Sequence, residues 1–377
     1  MRTDPVMTTE REVHMPLPQA LLRFSLVVAA AWLFMMFVPL DWFFQDYLPP
    51  SFFLLMGLVT FGVCGLGWPF AAPMGKLWKP DNRLLPGLLM CAVWLAYAVI
   101  LNLFTSRVFP GVPMNPSLGI IVFGVTLWYS FDGVGPHPFK NKDGSPNAVA
   151  NWAAATVVIM VVTWIVWFIF VDMAGTPLDN TPHDPNGVFP SGYWFGLMVW
   201  IIVWVQVFGG TMCLQGWPFY KLPKPLPQVC IFVAVIVLGY ACWEGGLRLG
   251  VSPTFSFGAV GASMIGWSLM HAVAFEMFPF AKHVQPKRGV LNFLLEEIIL
   301  TAAWIVLLRI ILSPVYARMV ELKFAAPEGP FDINMLSAFF TLHVAAVILL
   351  MHQFFFMRAP WSIPGPPLGP EERPPEA

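Results

Sequence analysis

Gly261–Phe280 reads GASMIGWSLMHAVAFEMFPF, an apolar run with one histidine, His271, in its middle and a Phe-Pro-Phe stop at its end. The same design returns near the C-terminus, where Leu349–Trp361 reads LLMHQFFFMRAPW. Leu269-Met270-His271 matches Leu350-Met351-His352, and each histidine stands nine residues before an aromatic, Phe280 or Trp361. A run this apolar, long enough to cross a bilayer core of about 30 Å, is a transmembrane helix. In lipid no other open structure satisfies the backbone.

The rest of the chain agrees. It has 377 residues, of which 58% are hydrophobic and 11% charged, against roughly 25% charged in soluble domains. The net charge of −1 gives no electrostatic footprint for a nucleic-acid partner. Cys64, Cys91, Cys213, Cys230 and Cys242 all fall in apolar runs and read as small buried hydrophobes rather than disulfides. The expectation is an all-α integral membrane protein of about ten transmembrane helices, near 21–43, 51–70, 85–106, 117–135, 151–173, 191–214, 226–248, 256–279, 292–314 and 335–357. Residues 1–20 form a polar cytoplasmic segment, 21–361 a single polytopic membrane domain, and 362–377 a disordered cytoplasmic tail rich in Pro and Glu.

Lysine and arginine set the orientation. Arg2, Arg11, Arg23, Lys76, Lys79, Arg83, Lys140, Lys142, Lys221, Lys224, Lys282, Lys287, Arg288, Arg358 and Arg373 fall on the side that holds both ends. Arg107, Arg318 and Lys323 fall on the other. Both termini are therefore expected in the cytoplasm of a bacterial-type inner membrane.

Every second helix ends in a Pro-aromatic stop on that side: Gly67-Trp68-Pro69-Phe70, Pro136-His137-Pro138-Phe139, Gly216-Trp217-Pro218-Phe219, Phe278-Pro279-Phe280 and Ala359-Pro360-Trp361. The intervening helices each carry a tryptophan, Trp32, Trp94, Trp164, Trp243 and Trp304. The pattern predicts five helical hairpin repeats in one orientation, unlike inverted-repeat transporters.

Ionisable groups inside a bilayer usually face a cavity or a partner. Here they concentrate in the last two hairpins. Arg248 follows Trp243 by five residues and Arg309 follows Trp304 by five, and each hairpin adds one histidine. Glu244 precedes Arg248 by one helical turn, a favourable order for an ion pair. The expected substrate-binding or proton-path set is Arg248, Arg309, His271, His352 and Glu244. The guanidinium groups would hold an anion, and the imidazoles would relay protons or line the path. Plain structural roles, as an ion pair, headgroup contacts and interhelical hydrogen bonds, compete with that reading at each of these positions. Glu276, Glu296 and Glu297 lie near Lys282, Lys287 and Arg288 and read as interfacial salt bridges.

The leading functional expectation is a multi-pass transporter or permease for a small anionic or amphipathic molecule, with proton coupling as an open option. Its partners would be the lipid bilayer and a small-molecule substrate, with no cofactor or metal. One alternative is a membrane-embedded enzyme or redox subunit acting on a lipophilic substrate, with haem or copper on His271, His343 or His352. His343 lies nine residues before His352 and so on roughly the opposite helix face. A third reading is a structural subunit among other membrane-protein subunits. No nucleophile elbow, phosphate loop or zinc-protease motif is present.

Overall fold

The computed structural model describes residues 15–64, 82–111, 115–132, 138–142, 144, 147–209, 213–325, 331–362 and 370–371. The stops at Gly67–Phe70 and Pro136-His137 lie outside them. The described chain is almost wholly helical, and eight of its helices are long and apolar enough to cross a membrane, nine if one bent pair is a single span.

The helices are α1 (Leu17–Phe37), α2 (Leu40–Val63), α3 (Leu84–Val108), α4 (Pro116–Phe131), α5 (Ala148–Phe170), α6 (Ser191–Phe208), α7 (Leu226–Arg248), α8 (Thr254–Ala274), α9 (Lys287–Ile311) and α10 (Ile333–Phe354). Two differ from the usual span. α4 is short, because Asn115 caps its start, accepting from the Ser117 amide at 2.8 Å. α9 turns by 49° into a further helix, Ser313–Glu321, with Pro314 in its first turn, where proline is tolerated. Between α5 and α6 the short strands β1 (Val171–Asp172) and β2 (Phe189–Pro190) pair in parallel. In that loop the Asp179 and Asp184 carboxylates accept from the backbone amides of Gly175 and Asn180, which shapes turns.

The even-numbered helices form a closed inner ring. α2 packs on α4, α4 on α6, α6 on α8, α8 on α10, and α10 back on α2. They are buried far more deeply than the outer helices, and Ser117 to Leu127 of α4 are buried without interruption. The odd-numbered helices lie outside, each against the inner helix that precedes it. α3 packs on α2, α5 on α4, α7 on α6 and α9 on α8, while α1 covers α10. An outer helix needs only one buried stripe, and the sequence supplies it at every fourth residue. In α7 the stripe is Pro227, Ile231, Val235, Gly239 and Trp243, and in α5 it is Asn151, Ala155, Ile159, Thr163 and Trp167. Their other faces expose Val157, Val161, Val233 and Val237. In water such faces would be an aggregation liability; in a bilayer they meet lipid.

Two of the helix tryptophans, Trp94 and Trp304, bond across the two layers, and Trp32 joins two outer helices. Trp94 donates to the Leu54 carbonyl at 2.7 Å, Trp304 to Thr341 at 3.0 Å, and Trp32 to the Ile311 carbonyl at 2.7 Å.

The stops that end α8 and α10 share one backbone path. The amides of Met277 and Arg358 bond the carbonyls of His271 and His352, and Phe278 and Ala359 bond Phe275 and Phe356. Both turns hold two successive non-glycine residues at positive φ, Glu276 and Met277 in one, Met357 and Arg358 in the other. After α6, Gln215 and Gly216 hold the same two positions. Two of the tail's residues are described: the Pro370 carbonyl accepts from the Gln285 amide at 3.0 Å, and Glu371 pairs with Lys221 at 2.9 Å.

Candidate functional site

The inner ring encloses a cavity of about 290 Å³ in the half where its helices begin, and all five helices line it. The wall is aromatic. Phe52, Phe123, Phe195, Phe257 and Phe339 face the space. Phe44, Phe324 and Phe331 gather at the rim, with Phe44 stacked on Phe324 at 5.6 Å. A dry apolar cavity of about 150 Å³ already binds benzene, so this space is large enough for one or two rings.

Among the described residues of that wall, His343 is the only ionisable side chain. It sits in a wide π-type stretch of α10, Phe339–Ala345, a deviation frequent at functional sites. Phe52 and Phe339 meet its ring edge-on, at centroid distances of 4.6 and 5.9 Å. Its Nδ1 lies 2.8 Å from Ser51 Oγ. The Ser51 hydroxyl has one proton, and it donates that proton to the Leu48 carbonyl at 2.5 Å. Ser51 therefore accepts from His343, and Nδ1 carries the hydrogen. The lone pair is then on Nε2, which no hydrogen bond occupies among the described residues. Tyr47 ties down the backbone, its hydroxyl donating to the His343 carbonyl. The site is a greasy chamber in which His343 offers a fixed hydrogen-bond acceptor and Asn115 adds a second polar side chain.

The residues expected from the sequence are elsewhere. Arg248 is exposed at the end of α7 and donates to Glu244 at 3.0 Å, as the spacing predicts, and Tyr193 also donates to Glu244 at 3.1 Å. Arg309 is exposed on α9 and donates to Asn334 at 2.5 Å. Asn334 in turn donates to Asp332 at 2.6 Å, next to the rim residue Phe331. No described hydrogen bond or ion pair joins Arg248 to Arg309, or either of them to His271 or His352. The two histidines sit at the opposite ends of α8 and α10 from the cavity.

There they are matched in position and opposite in chemistry. Each Nε2 meets the carbonyl seven residues on, Phe278 at 2.5 Å and Ala359 at 2.8 Å. For His352, Arg23 of α1 donates to Nδ1 at 3.0 Å, so Nδ1 is bare and Nε2 carries the proton: a neutral imidazole in one tautomer. For His271, Nδ1 faces the carboxyl of Glu296, and one proton lies between them. Both nitrogens of both rings are engaged, so neither offers a free lone pair to haem or copper as it stands.

Sequence reasoning placed Glu276, Glu296 and Glu297 at the interface, but Glu296 and Glu297 are buried on α9. Glu276 pairs with Arg358, which also donates to Gln353 at 3.2 Å. Arg23 shares Gln353 at 2.9 Å and reaches the Val273 carbonyl at 3.1 Å. Burial pulls the Arg358 guanidinium below its usual range and the Glu276 carboxylate draws it part of the way back. Beside Glu296, burial and the two carboxylates push the Cys213 thiol well above its ordinary range. The sequence signal for this cluster is Glu296-Glu297 inside the apolar run Leu294–Leu300. No family model, no curated protein and no solved structure matches the chain.

Proposed function

We propose that this chain is a multi-pass membrane protein that binds a small amphipathic molecule in the axial cavity, as the loading step of a permease. The observation that carries the reading is the fixed Nε2 acceptor of His343 in a chamber whose described wall is apolar apart from Asn115. A guest bearing an O–H or N–H, such as a phenol or a quinol, satisfies that acceptor while its ring replaces cavity space. An anion does not, because a neutral acceptor in an apolar wall repays none of its desolvation. The amphipathic member of the anionic-or-amphipathic pair is thus favoured. Arg309, through Asn334 and Asp332, sits beside the rim, and Arg248 with Glu244 belongs to the same end of the bundle.

Five duplicated hairpins with both termini in the cytoplasm of an inner membrane complete the proposal. What supports duplication is the alternation of inner and outer helices and the shared hydrogen bonding of the turns after α8 and α10. What supports the orientation is the lysine and arginine bias.

The test uses 1-naphthol as the probe and 1-methoxynaphthalene, which has no donor, as its control, titrated into detergent-purified protein by fluorescence. His343→Ala is expected to weaken naphthol by roughly 0.5–1.5 kcal/mol, about two- to tenfold in Kd, and to leave the methoxy compound unchanged. Equal naphthol affinity in the variant removes His343 from the site. Equal losses for both compounds mean that the histidine only shapes the wall.

A further inference from the structure

Away from the cavity, two segments of the chain bring soft and hard ligand atoms together. Cys213 follows α6, and Glu296 and Glu297 stand on α9. One ligand atom from each lies within 4.8 Å of the others, and all three residues are buried. The Cys213 thiol donates to Glu296 at 3.1 Å, and Ser268 of α8 donates to one oxygen of Glu297 at 2.8 Å. The other oxygen of Glu297, a residue only 4% exposed, has no hydrogen-bond partner among the described residues. A buried carboxylate oxygen left alone is costly. Protonating it leaves a buried O–H that needs an acceptor in turn. A cation answers both needs.

We propose that Cys213, Glu296 and Glu297 bind a divalent transition-metal ion of the zinc class, with His271 as the group that orients Glu296. One thiolate and two carboxylates are a mixed sulfur–oxygen set. Thiolate disfavours magnesium and calcium and suits zinc or cobalt. Three protein ligands leave a fourth position open, the count of a reactive rather than a closed zinc site. Charge balances as well. A thiolate and two carboxylates carry three negative charges, the metal ion carries two positive, and a protonated His271 supplies the last. On binding, the thiol proton leaves sulfur for the solvent, and the proton between His271 and Glu296 stays on the imidazole. His271 then does what an outer histidine partner does, holding a ligand carboxylate in place while the Phe278 carbonyl fixes its ring.

The site is independent of the axial cavity and is tested with the metal alone. Full-length protein in detergent, stripped with chelator, is titrated with Co²⁺. One cobalt per chain and a near-ultraviolet sulfur-to-cobalt charge-transfer band are expected, with zinc displacing both. Cys213→Ser should abolish the band. Glu297→Gln, which keeps the shape, should weaken cobalt at least tenfold while preserving the band at saturation, and it decides the matter if the cysteine variant does not fold. His271→Gln should weaken binding by about 10–100-fold, the range for lost outer partners. Failure to retain one cobalt per chain, a band that survives in Cys213→Ser, or wild-type affinity in Glu297→Gln overturns the assignment.

Discussion

Arg358→Ala should destabilise the folded protein by about 3–5 kcal/mol, the cost of removing one partner from a buried ion pair. Arg358 is 3% exposed, and its guanidinium joins Glu276 to Gln353. Without it, the Glu276 carboxylate, 20% exposed, loses its ion-pair partner, while the Met15 amide donates to its other oxygen at 3.3 Å. The neighbouring Arg23, 1% exposed, donates to the same Gln353 oxygen, so the two sites are linked through that amide. Both members of the pair also hold positive φ, a conformation that costs about 1–3 kcal/mol wherever surrounding contacts do not enforce it. Arg358→Lys should not rescue, because an ammonium lacks the planar fork that reaches both partners. The measurement is thermal or denaturant unfolding in detergent, read by tryptophan fluorescence. The double variant Arg358→Ala/Glu276→Ala should lose much less than the sum of the singles. A loss under about 1 kcal/mol in Arg358→Ala would mean that water already reaches the pair.

The second large effect concerns the seam between α8 and α10. A methyl group on Gly258 would stand 2.9 Å from the carbonyl oxygen of Asn334 and 3.0 Å from its carbon. Both are backbone atoms, so no side chain can swing aside and the helices themselves must part. Gly258→Ala should cost about 1–3 kcal/mol by overpacking, and Gly258→Leu more. Because Phe257, Ala262 and Met335 of these two helices line the cavity, either change should also abolish naphthol binding. Gly246→Ala is the control. Its methyl would meet only Ser256 Oγ, at an ordinary 3.6 Å. Helix propensity alone should then make that change neutral or slightly stabilising. If Gly258→Ala matches Gly246→Ala in both stability and binding, the seam is not tight.

Helices and the ends of most of them were legible in the sequence, because a bilayer permits few alternatives and Pro, Gly and aromatic residues punctuate its edges. Partners were not. Arg23 reads in sequence as one more basic residue near a helix start, yet its partner His352 is 329 positions away. Local sequence around Glu296 and Glu297 offers Lys282, Lys287 and Arg288 as neighbours, whereas the burial of one face of α9 turns the carboxylates toward Cys213 and Ser268. His343 was recognised as facing away from His352, and that opposite face is the cavity wall. Matching positions made Arg248 and Arg309 look like a pair. They stand instead on separate outer helices, Arg248 bonded to Glu244 of its own helix and Arg309 to Asn334 of α10.

The closure of the ring bears on how the molecule is made. Of the ten helices described, α10 stands last in the chain, and its outer cover is α1, which stands first. From the moment α1 enters the bilayer until α10 arrives, the buried Arg23 has neither His352 nor Gln353 to bond. These two partners of Arg23 arrive only with α10, the helix that closes the ring. The same geometry makes the order of helices around the ring cyclic. A permuted gene that begins at α3 and joins α10 to α1 through a short linker would synthesise the two partners consecutively and spare the arginine its wait.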